Sequence, residues 1–177
     1  MGLTVDYELV LIKRAMIRAF KSVPVEEEKI QSILRNAWRA PSAGHLQPQD
    51  FIIVKNNHVK HQLAKAAFDQ NFIEQAPVVI VVCSDTRRNV WRYWDRAIKF
   101  YNIIDGAYAS MIILLTVVNE GLGVCFVGAF DDDEVSKLLG LPNEVKSIGI
   151  IPIGYPEEKN ERLARIPLEK RLHEDRW

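Results

Sequence analysis

The sequence predicts one globular domain that combines helices with short, buried β-strands. Its 177 residues are 48% hydrophobic and 26% charged, with only nine glycines and eight prolines, as in ordinary folded proteins. A chain of this length can bury about two-thirds of its unfolded surface, which is enough for one core. Two long segments have helical apolar spacing, and β-branched runs without polar alternation lie between them.

Charge and cysteine usage exclude several classes of function. Basic and acidic residues balance at 23 each, so the chain lacks the broad positive field that binds nucleic acid. Cys83 and Cys125 are far apart in apolar runs and form neither a redox motif nor a zinc quartet, so we expect reduced core residues.

The acidic N-terminus argues against a secretory signal and favours a cytoplasmic location. The longest uncharged apolar stretch, 106–118, is shorter than the roughly 20 residues of a membrane span, so no membrane partner is expected.

The first half of the chain predicts two helices and two strands. Apolar residues at Ile30, Ile33 and Leu34 begin one face of a helix from Val25 to Arg39, which Pro41 stops near Ala40. A loop from Ser42 to Asp50 follows. The remaining predicted elements are a strand at Phe51–Val54, a helix at His58–Ala67 and a strand at Val78–Val82. Both strands lack polar alternation, which predicts that they are covered on both faces.

The second half predicts a central helix from Ile104 to Asn119. Its apolar face is predicted to contain Ala107, Met111, Leu114, Leu115 and Val118, and Gly121 can supply the left-handed residue that ends it. Further elements follow: a strand at Val124–Val127, a helix that Asp131 and Glu134 begin and Gly140 ends, and a strand at Ser147–Ile153. Residues 1–156 are predicted to form one domain, and the charged tail 157–177 is predicted to wrap around a partner subunit.

Alternating helices and strands by themselves suggest a doubly wound parallel sheet. The usual site of that fold is a glycine-rich turn between the first strand and a helix, and the chain has no such turn. We therefore do not adopt the parallel sheet as the prediction.

Three groups of residues are candidates for binding, and each has a plain structural alternative. Lys13, Arg14 and Arg18 lie at the end of an apolar helical stretch and are spaced one helical turn apart, where a solvated helix end is the default interpretation. The loop 40–48 combines small residues with Gln47, which suits a helix-to-strand connector or close approach to a planar ligand.

The third group is Gly121–Gly123 with the following Gly128-Ala129. Glycines before a strand often form only a turn, and the spacing of a dinucleotide-binding motif is absent. His58 and His61 lack a third ligand at matching spacing, so no metal site is predicted. A hydrolase nucleophile elbow is also absent.

The order and spacing of these groups resemble the nitroreductase family of FMN oxidoreductases over nearly the whole chain. The strings that carry the resemblance are IKRAMIRAFKSVPV, APSAGHLQPQDFIIV, APVVIVVCSD, NEGLGVCFVGAFDDDEVSKLLGLP and IGIIPIGYPEEK. The resemblance implies an α+β fold with a central, mostly antiparallel sheet flanked by helices in three layers. It also implies an intertwined homodimer with FMN bound in the interface.

The implied activity is an FMN-dependent NAD(P)H oxidoreductase that passes electrons through flavin N5 to a small acceptor such as a nitroaromatic or a quinone. No dedicated catalytic side chain is required. Two alternatives remain open: a specialised flavin enzyme of the flavin-fragmenting or reductive dehalogenating type, and a non-catalytic flavin-binding dimer.

The resemblance assigns roles to particular residues. Arg14 would meet the FMN phosphate together with Arg165, with Arg162 as a further candidate, and Arg165 would lie beside a flavin held mainly by the partner chain. Arg18 would lie near the pyrimidine edge of the ring. The ring itself would be contacted by Ser42 and Ala43 from the other subunit, by Gln47 at its edge or ribityl chain, and by the backbone of Gly128 and Ala129 near N5 and O4.

Some positions depart from the family pattern. Ala15 and Met16 stand where the family usually has a basic residue or histidine and a serine, and His45 stands where it has asparagine. Gln49 replaces the common tryptophan. The segment Thr86–Ile103, rich in arginine and aromatic residues, is where we expect substrate contacts.

Overall fold

Helices cover both faces of an antiparallel sheet in the computed structural model, which describes residues 6–159 and 164–177. Within these residues four strands pair in the order β1-β2-β4-β3, and every pairing is antiparallel. The strands are β1 (Gln49–Val54), β2 (Val78–Asp85), β3 (Gly123–Val124) and β4 (Val145–Gly154). The antiparallel sheet implied by the resemblance is confirmed, and the parallel alternative is excluded.

The helices of the described chain are α1 (Tyr7–Lys13), α2 (Glu27–Trp38), α3 (Asn57–Ala66), α4 (Phe72–Gln75), α5 (Val90–Tyr93), α6 (Asn102–Asn119) and α7 (Asp132–Leu139). Because side chains alternate along a strand, β2 supplies both layers of the core. Val78, Ile80 and Val82 pack toward α2 and α6, whereas Val79, Val81 and Cys83 pack toward α3, α4 and α7. The three-layer arrangement is thereby confirmed.

Local signals placed several helix ends correctly. The carboxylate of Asp131 accepts a hydrogen bond from the backbone N–H of Glu134 at 2.9 Å and begins α7. Gly140, with φ of +65°, ends that helix, and Gly121, with φ of +76°, follows α6. Both glycines supply the left-handed geometry that L-residues with side chains disfavour.

Three predictions about the strands and the N-terminal helix were wrong in part. β1 is an edge strand, so it is only half-covered, and Ile53 is 37% exposed. β3 stops at Val124, and Val127 makes only an isolated bridge with Ile150. α1 ends at Lys13, so Arg18 lies beyond the helix and not one helical turn after Arg14.

The buried face of α6 matches the predicted one only in part: Leu114 is buried and Val118 packs on the core, as predicted. Ala107 and Met111 are exposed, whereas the opposite side, including Asp105, Ala109 and Ile113, is buried. By length and composition alone, the segment Ala97–Asn119 could span a membrane, yet half of it is buried inside the protein. Because α6 is apolar around its circumference, periodicity could not indicate which side meets the sheet.

Both cysteines are free and buried, as expected. Burial raises the pKa of the Cys83 thiol to about 12, and it also raises the pKa of Cys125. A protonated, buried thiol is a poor nucleophile and a poor metal ligand. The cysteines are therefore core residues.

The C-terminal tail leaves the domain beside Ala19. The N–H of Glu157 donates to the carbonyl of Ala19 at 2.9 Å. Residues 164–177 are exposed throughout, and their large apolar side chains are Ile166, Leu168, Leu172 and Trp177. Among the described residues, Trp177 stacks on His173. The tail therefore adds little to the core of its own chain.

Candidate functional site

Arg14 and Arg165 line a common cavity of about 600 Å³. The other lining residues are apolar: Leu11, Ile12, Met16, Met111 and Leu114. Arg14 is the C-cap residue that follows α1, and its N–H donates to the carbonyl of Val10 at 3.0 Å. Two guanidinium groups beside an apolar wall suit a ligand that has both a phosphate and an apolar part. Arg162 lies outside the described residues.

The segment after Arg14 is held in place by the sheet. Ile17 donates its N–H to the carbonyl of Val124 at 2.9 Å, and a β-carbon on Gly123 would lie 3.0 Å from the Ile17 side chain. Gly123 therefore allows the close approach of this segment. Gly121 follows α6, and Gly123 allows this close packing. Both glycines therefore have a structural role, which was the alternative to ligand binding for this motif.

Ala15 and Met16, the two departures from the family pattern, have different surroundings. Ala15 is half-buried and packs against the core layer that contains α3 and α7, so it faces away from the cavity. Met16 lines the cavity, and its Sδ accepts the backbone N–H of Phe126 at 3.4 Å. Met16 thus supplies an acceptor to the backbone where the family usually has a serine.

Arg18 and Ala129 each contact the chain near the start of α4. The guanidinium of Arg18 lies 5.9 Å from the ring centre of Phe72. The side-chain amide of Gln70 donates to the carbonyl of Ala129 at 3.1 Å. Gly128 and Ala129 are exposed, so their backbone is open to a ligand. Gln70 and Phe72 could not be identified from the sequence, because neither belongs to a recognisable motif.

The loop Ser42–Gln47 is closed by its own hydrogen bonds. Ser42 Oγ accepts the N–H of Gln47 at 2.9 Å, and the side-chain amide of Gln47 lies 2.8 Å from His45 Nε2. Gly44, His45 and Gln47 all have positive φ. Such backbone conformations persist only where surrounding contacts enforce them, and they are frequent at ligand sites.

Three residues that sequence analysis missed attach this loop to the rest of the protein. Both carboxylate oxygens of Asp105 accept the N–H of Ala43, at 3.0 and 3.2 Å. Arg88 donates to the carbonyl of Gln47 at 2.9 Å, and the hydroxyl of Tyr93 packs against Gly44. Burial raises the pKa of Asp105, and the hydrogen bond from Ala43 opposes that rise. A single acidic residue in an apolar helix was the available signal for Asp105.

The loop and the arginine cavity occupy different places along α6. Asp105 lies in the first turn and Met111 six residues later, a rise of roughly 9 Å along the axis. The loop residues are not among those that line the cavity. The structure therefore brings Arg14, Met16 and Arg165 of one chain together, whereas the resemblance implied that Arg165 lies beside a flavin held mainly by the partner chain. Ser42, Ala43, His45 and Gln47 do not line this cavity.

An aromatic surface lies next to the loop. Trp91 and Trp94 are 64% and 72% exposed, and their indole N–H groups donate to nearby backbone carbonyls. Arg96 lies 4.5 Å from the ring centre of Phe100, and Tyr93 packs on Tyr101. The predicted substrate segment thus has exposed, locally ordered aromatic rings.

Comparison with known proteins assigns this arrangement to a family. Residues 11–74 and 67–155 match the model of the Nitroreductase family. The chain belongs to the nitroreductase family. It is 31% identical to an NADH dehydrogenase of Thermus thermophilus, over 93% of this chain and 94% of that protein.

Other relatives of this nitroreductase-family chain have more specific names. An NADPH-flavin oxidoreductase of Vibrio harveyi is 27% identical, over 96% of this chain and 73% of that protein. Iodotyrosine deiodinase 1 of Rattus norvegicus is 27% identical, over 93% of this chain and 65% of that protein. The crystal structure of a putative NADH dehydrogenase/NAD(P)H nitroreductase from Bacteroides thetaiotaomicron superposes with a TM-score of 0.86 at 27% identity, covering 99% and 100% of the two chains. These relatives support an oxidoreductase that uses a flavin.

Proposed function

We propose that this nitroreductase-family chain is an FMN-dependent oxidoreductase that transfers electrons from NAD(P)H to a small acceptor such as a nitroaromatic or a quinone. The observation that carries the proposal is the shared cavity of Arg14 and Arg165. Two guanidinium groups match a dianionic phosphate, because each can form charge-assisted hydrogen bonds worth about 1.5–3 kcal/mol. FMN carries such a phosphate, and riboflavin does not.

The other proposed contacts concern the ring. When bound, FMN supplies the hydride and electron chemistry at N5. Arg18 would lie near the pyrimidine edge, where a cation favours the anionic reduced ring. The exposed backbone of Gly128 and Ala129 would orient the ring near N5 and O4. In this arrangement the protein binds and orients the ring and requires no catalytic acid or base.

We infer further that the functional unit is a homodimer. Apolar side chains are exposed on α1, on the outer side of α6 and on the tail, and they include Leu9, Ile12, Ile103, Met111 and Leu172. Apolar surface of this extent is typical of a protein interface. A second chain would also bring Ser42, Ala43, His45 and Gln47 to a ring held by its partner, in agreement with their absence from the lining of the Arg14 cavity. The cytoplasmic location stays a prediction.

The test is anaerobic titration of the FMN-loaded protein with NADH or NADPH. We expect FMN to bind stoichiometrically, its absorbance to bleach on addition of a reduced nicotinamide, and the absorbance to return with a quinone or nitroarene. Binding without bleaching would favour the non-catalytic dimer. Absence of any FMN binding would overturn the assignment.

Reductive dehalogenation is the second candidate activity. It is supported by the similarity to iodotyrosine deiodinase 1 and by the exposed rings of Trp91 and Trp94 beside the loop. The matched measurement is halide release from an iodophenol by the reduced protein. Halide release that outpaces nitroarene reduction would favour this second activity over the first.

A further inference from the structure

Asp105 is a buried carboxylate with one hydrogen-bond donor in the described part of the chain. Its exposed fraction is 1%, and both of its oxygens accept the N–H of Ala43. A buried carboxylate is costly unless it is paired, and here no arginine or lysine side chain contacts it within residues 6–159 and 164–177. The burial of Asp105 is therefore best explained by the segment that its carboxylate binds.

Helix capping does not explain Asp105. The chain enters α6 from a π-helical turn at Ala97–Tyr101, and the N–H of Asn102 already donates to the carbonyl of Ala97. The first turn of α6 therefore has fewer free N–H groups for an acidic side chain to cap than an ordinary helix start has. The carboxylate is directed instead at a residue 62 positions earlier in the chain.

The loop that Asp105 holds contains two non-glycine residues in the left-handed region, His45 and Gln47, and its other side-chain hydrogen bond to the domain is exposed. Gly44, His45 and Gln47 have positive φ, and the internal hydrogen bonds of Ser42 and Gln47 close the loop without joining it to the domain. Arg88 also bonds to the loop, but its side chain is 40% exposed and is shared with Asp50. Asp105 is thus the buried attachment.

We propose that Asp105 is the positioning residue that keeps the Ser42–Gln47 loop in the conformation that contacts the flavin ring. The inference rests on the proposed function, because the loop has this role only in a flavin protein. By fixing the N–H of Ala43, Asp105 fixes the residue that begins the strained turn. The loop then reaches the ring already ordered, so binding does not have to order it.

The experiment compares Asp105→Asn and Asp105→Ala with Ser110→Ala as the matched control. Ser110 is buried on the same helix, but its hydroxyl donates to the carbonyl of Gly106 within the helix. FMN and riboflavin are the probes, and quenching of flavin fluorescence reports their affinity. Because Asp105 acts on the ring side, we expect Asp105→Ala to weaken both flavins equally, by about tenfold or more. Asp105→Asn should weaken both flavins less than Asp105→Ala does, since the amide oxygen of asparagine can still accept the Ala43 N–H, although it has no charge.

A second readout follows the loop itself without flavin. The amide proton of Ala43 in an NMR spectrum of the apo protein should move upfield in Asp105→Asn, because a neutral acceptor makes a weaker hydrogen bond than a carboxylate. Ser110→Ala should leave that resonance in place. A purely structural role for Asp105 would also shift Ala43 and lower stability, but it would leave both flavin affinities unchanged.

The outcomes separate the two proposals. If the unaltered protein binds no FMN, the proposed function fails, and the inference fails with it, whatever the Ala43 resonance shows. If it binds FMN, and a folded Asp105→Asn variant keeps both flavin affinities unchanged, the inference alone is overturned, whether or not the Ala43 resonance moves. A loss confined to FMN also overturns it, because that would place Asp105 on the phosphate side. Should Asp105→Ala not fold, Asp105→Asn decides the matter.

Discussion

Gly44 packs against the hydroxyl of Tyr93 so closely that a β-carbon on residue 44 would overlap the phenol oxygen. The same β-carbon would lie 3.1 Å from Arg92 Nη1, and Gly44 has φ of +58°. Glycine is therefore required at this position for two independent reasons, its backbone conformation and the contact with α5. This contact joins the predicted ring-covering loop to the aromatic segment.

Gly44→Ala tests both reasons. We expect the free energy of unfolding to fall by about 1–2 kcal/mol from the left-handed backbone alone, with a further loss from the contact with Tyr93. Tyr93→Phe removes the hydroxyl, so the alanine should be less destabilising in that background. Urea unfolding of the two single variants and the double variant measures the coupling. An equal effect of Gly44→Ala in both backgrounds would show that the tyrosine hydroxyl contributes nothing.

The arginine cavity predicts a difference between flavins. Arg14→Ala should weaken FMN by about tenfold or more while leaving riboflavin nearly unaffected, because only FMN carries the phosphate. Arg165→Ala should behave in the same way. Arg39→Ala is the control, since Arg39 is exposed and bonds to Asn36 on its own helix. Equal weakening of both flavins would mean that Arg14 does not touch the phosphate.

The tail is predicted to hold both the partner subunit and the phosphate. A chain that ends at Lys159 keeps two hydrogen bonds, one from the N–H of Glu157 to the carbonyl of Ala19 and one from the N–H of Arg18 to the carboxylate of Glu158. It therefore tests the later part of the tail alone. We expect it to lose both the dimer and FMN, because apolar residues from Ile166 onward have no partner on their own domain. Sedimentation velocity and flavin stoichiometry are the measurements.

The control for the tail is Arg165→Ala in the full chain, which should lose FMN affinity yet remain dimeric. A shortened chain that still sediments as a dimer with one FMN per subunit would remove the tail from both roles.

Asp85 predicts a dependence of stability on pH. Hydrogen bonds from the Arg87 side chain lower the pKa of the buried Asp85 carboxyl below its ordinary value. A group with a lowered folded pKa adds stability above its unfolded pKa, about 3.9 for aspartate, and loses it as the pH falls through the folded value. Asp85→Asn should therefore be less stable than the unaltered protein at pH near 7, with the difference shrinking in acid.

Urea unfolding at neutral and acidic pH measures this difference. Asp95→Asn is the control, because Asp95 pairs with Lys99 and both side chains are more than 70% exposed, so its effect should be small at either pH. A difference for Asp85→Asn that stays constant into acid would contradict the ionic account.

Features that depend on neighbours along the chain could be predicted from the sequence. Pro41 limits α2, Asp131 and Gly140 bound α7, and Gly121 follows α6, since capping and left-handed turns depend on residues only a few positions apart. The family resemblance and the antiparallel sheet came from the order of whole strings, and the family model confirms that resemblance.

The tertiary structure was needed to show which faces of the helices and strands pack against one another. Periodicity could not choose the buried side of α6, because the helix is apolar on every side, and β1 could not be recognised as an edge strand before its pairing was known. Nothing near Ala43 indicates Asp105, and nothing near Arg14 indicates a cavity shared with Arg165. Such contacts join residues distant along the chain, and packing topology brings them together without a local pattern to predict them.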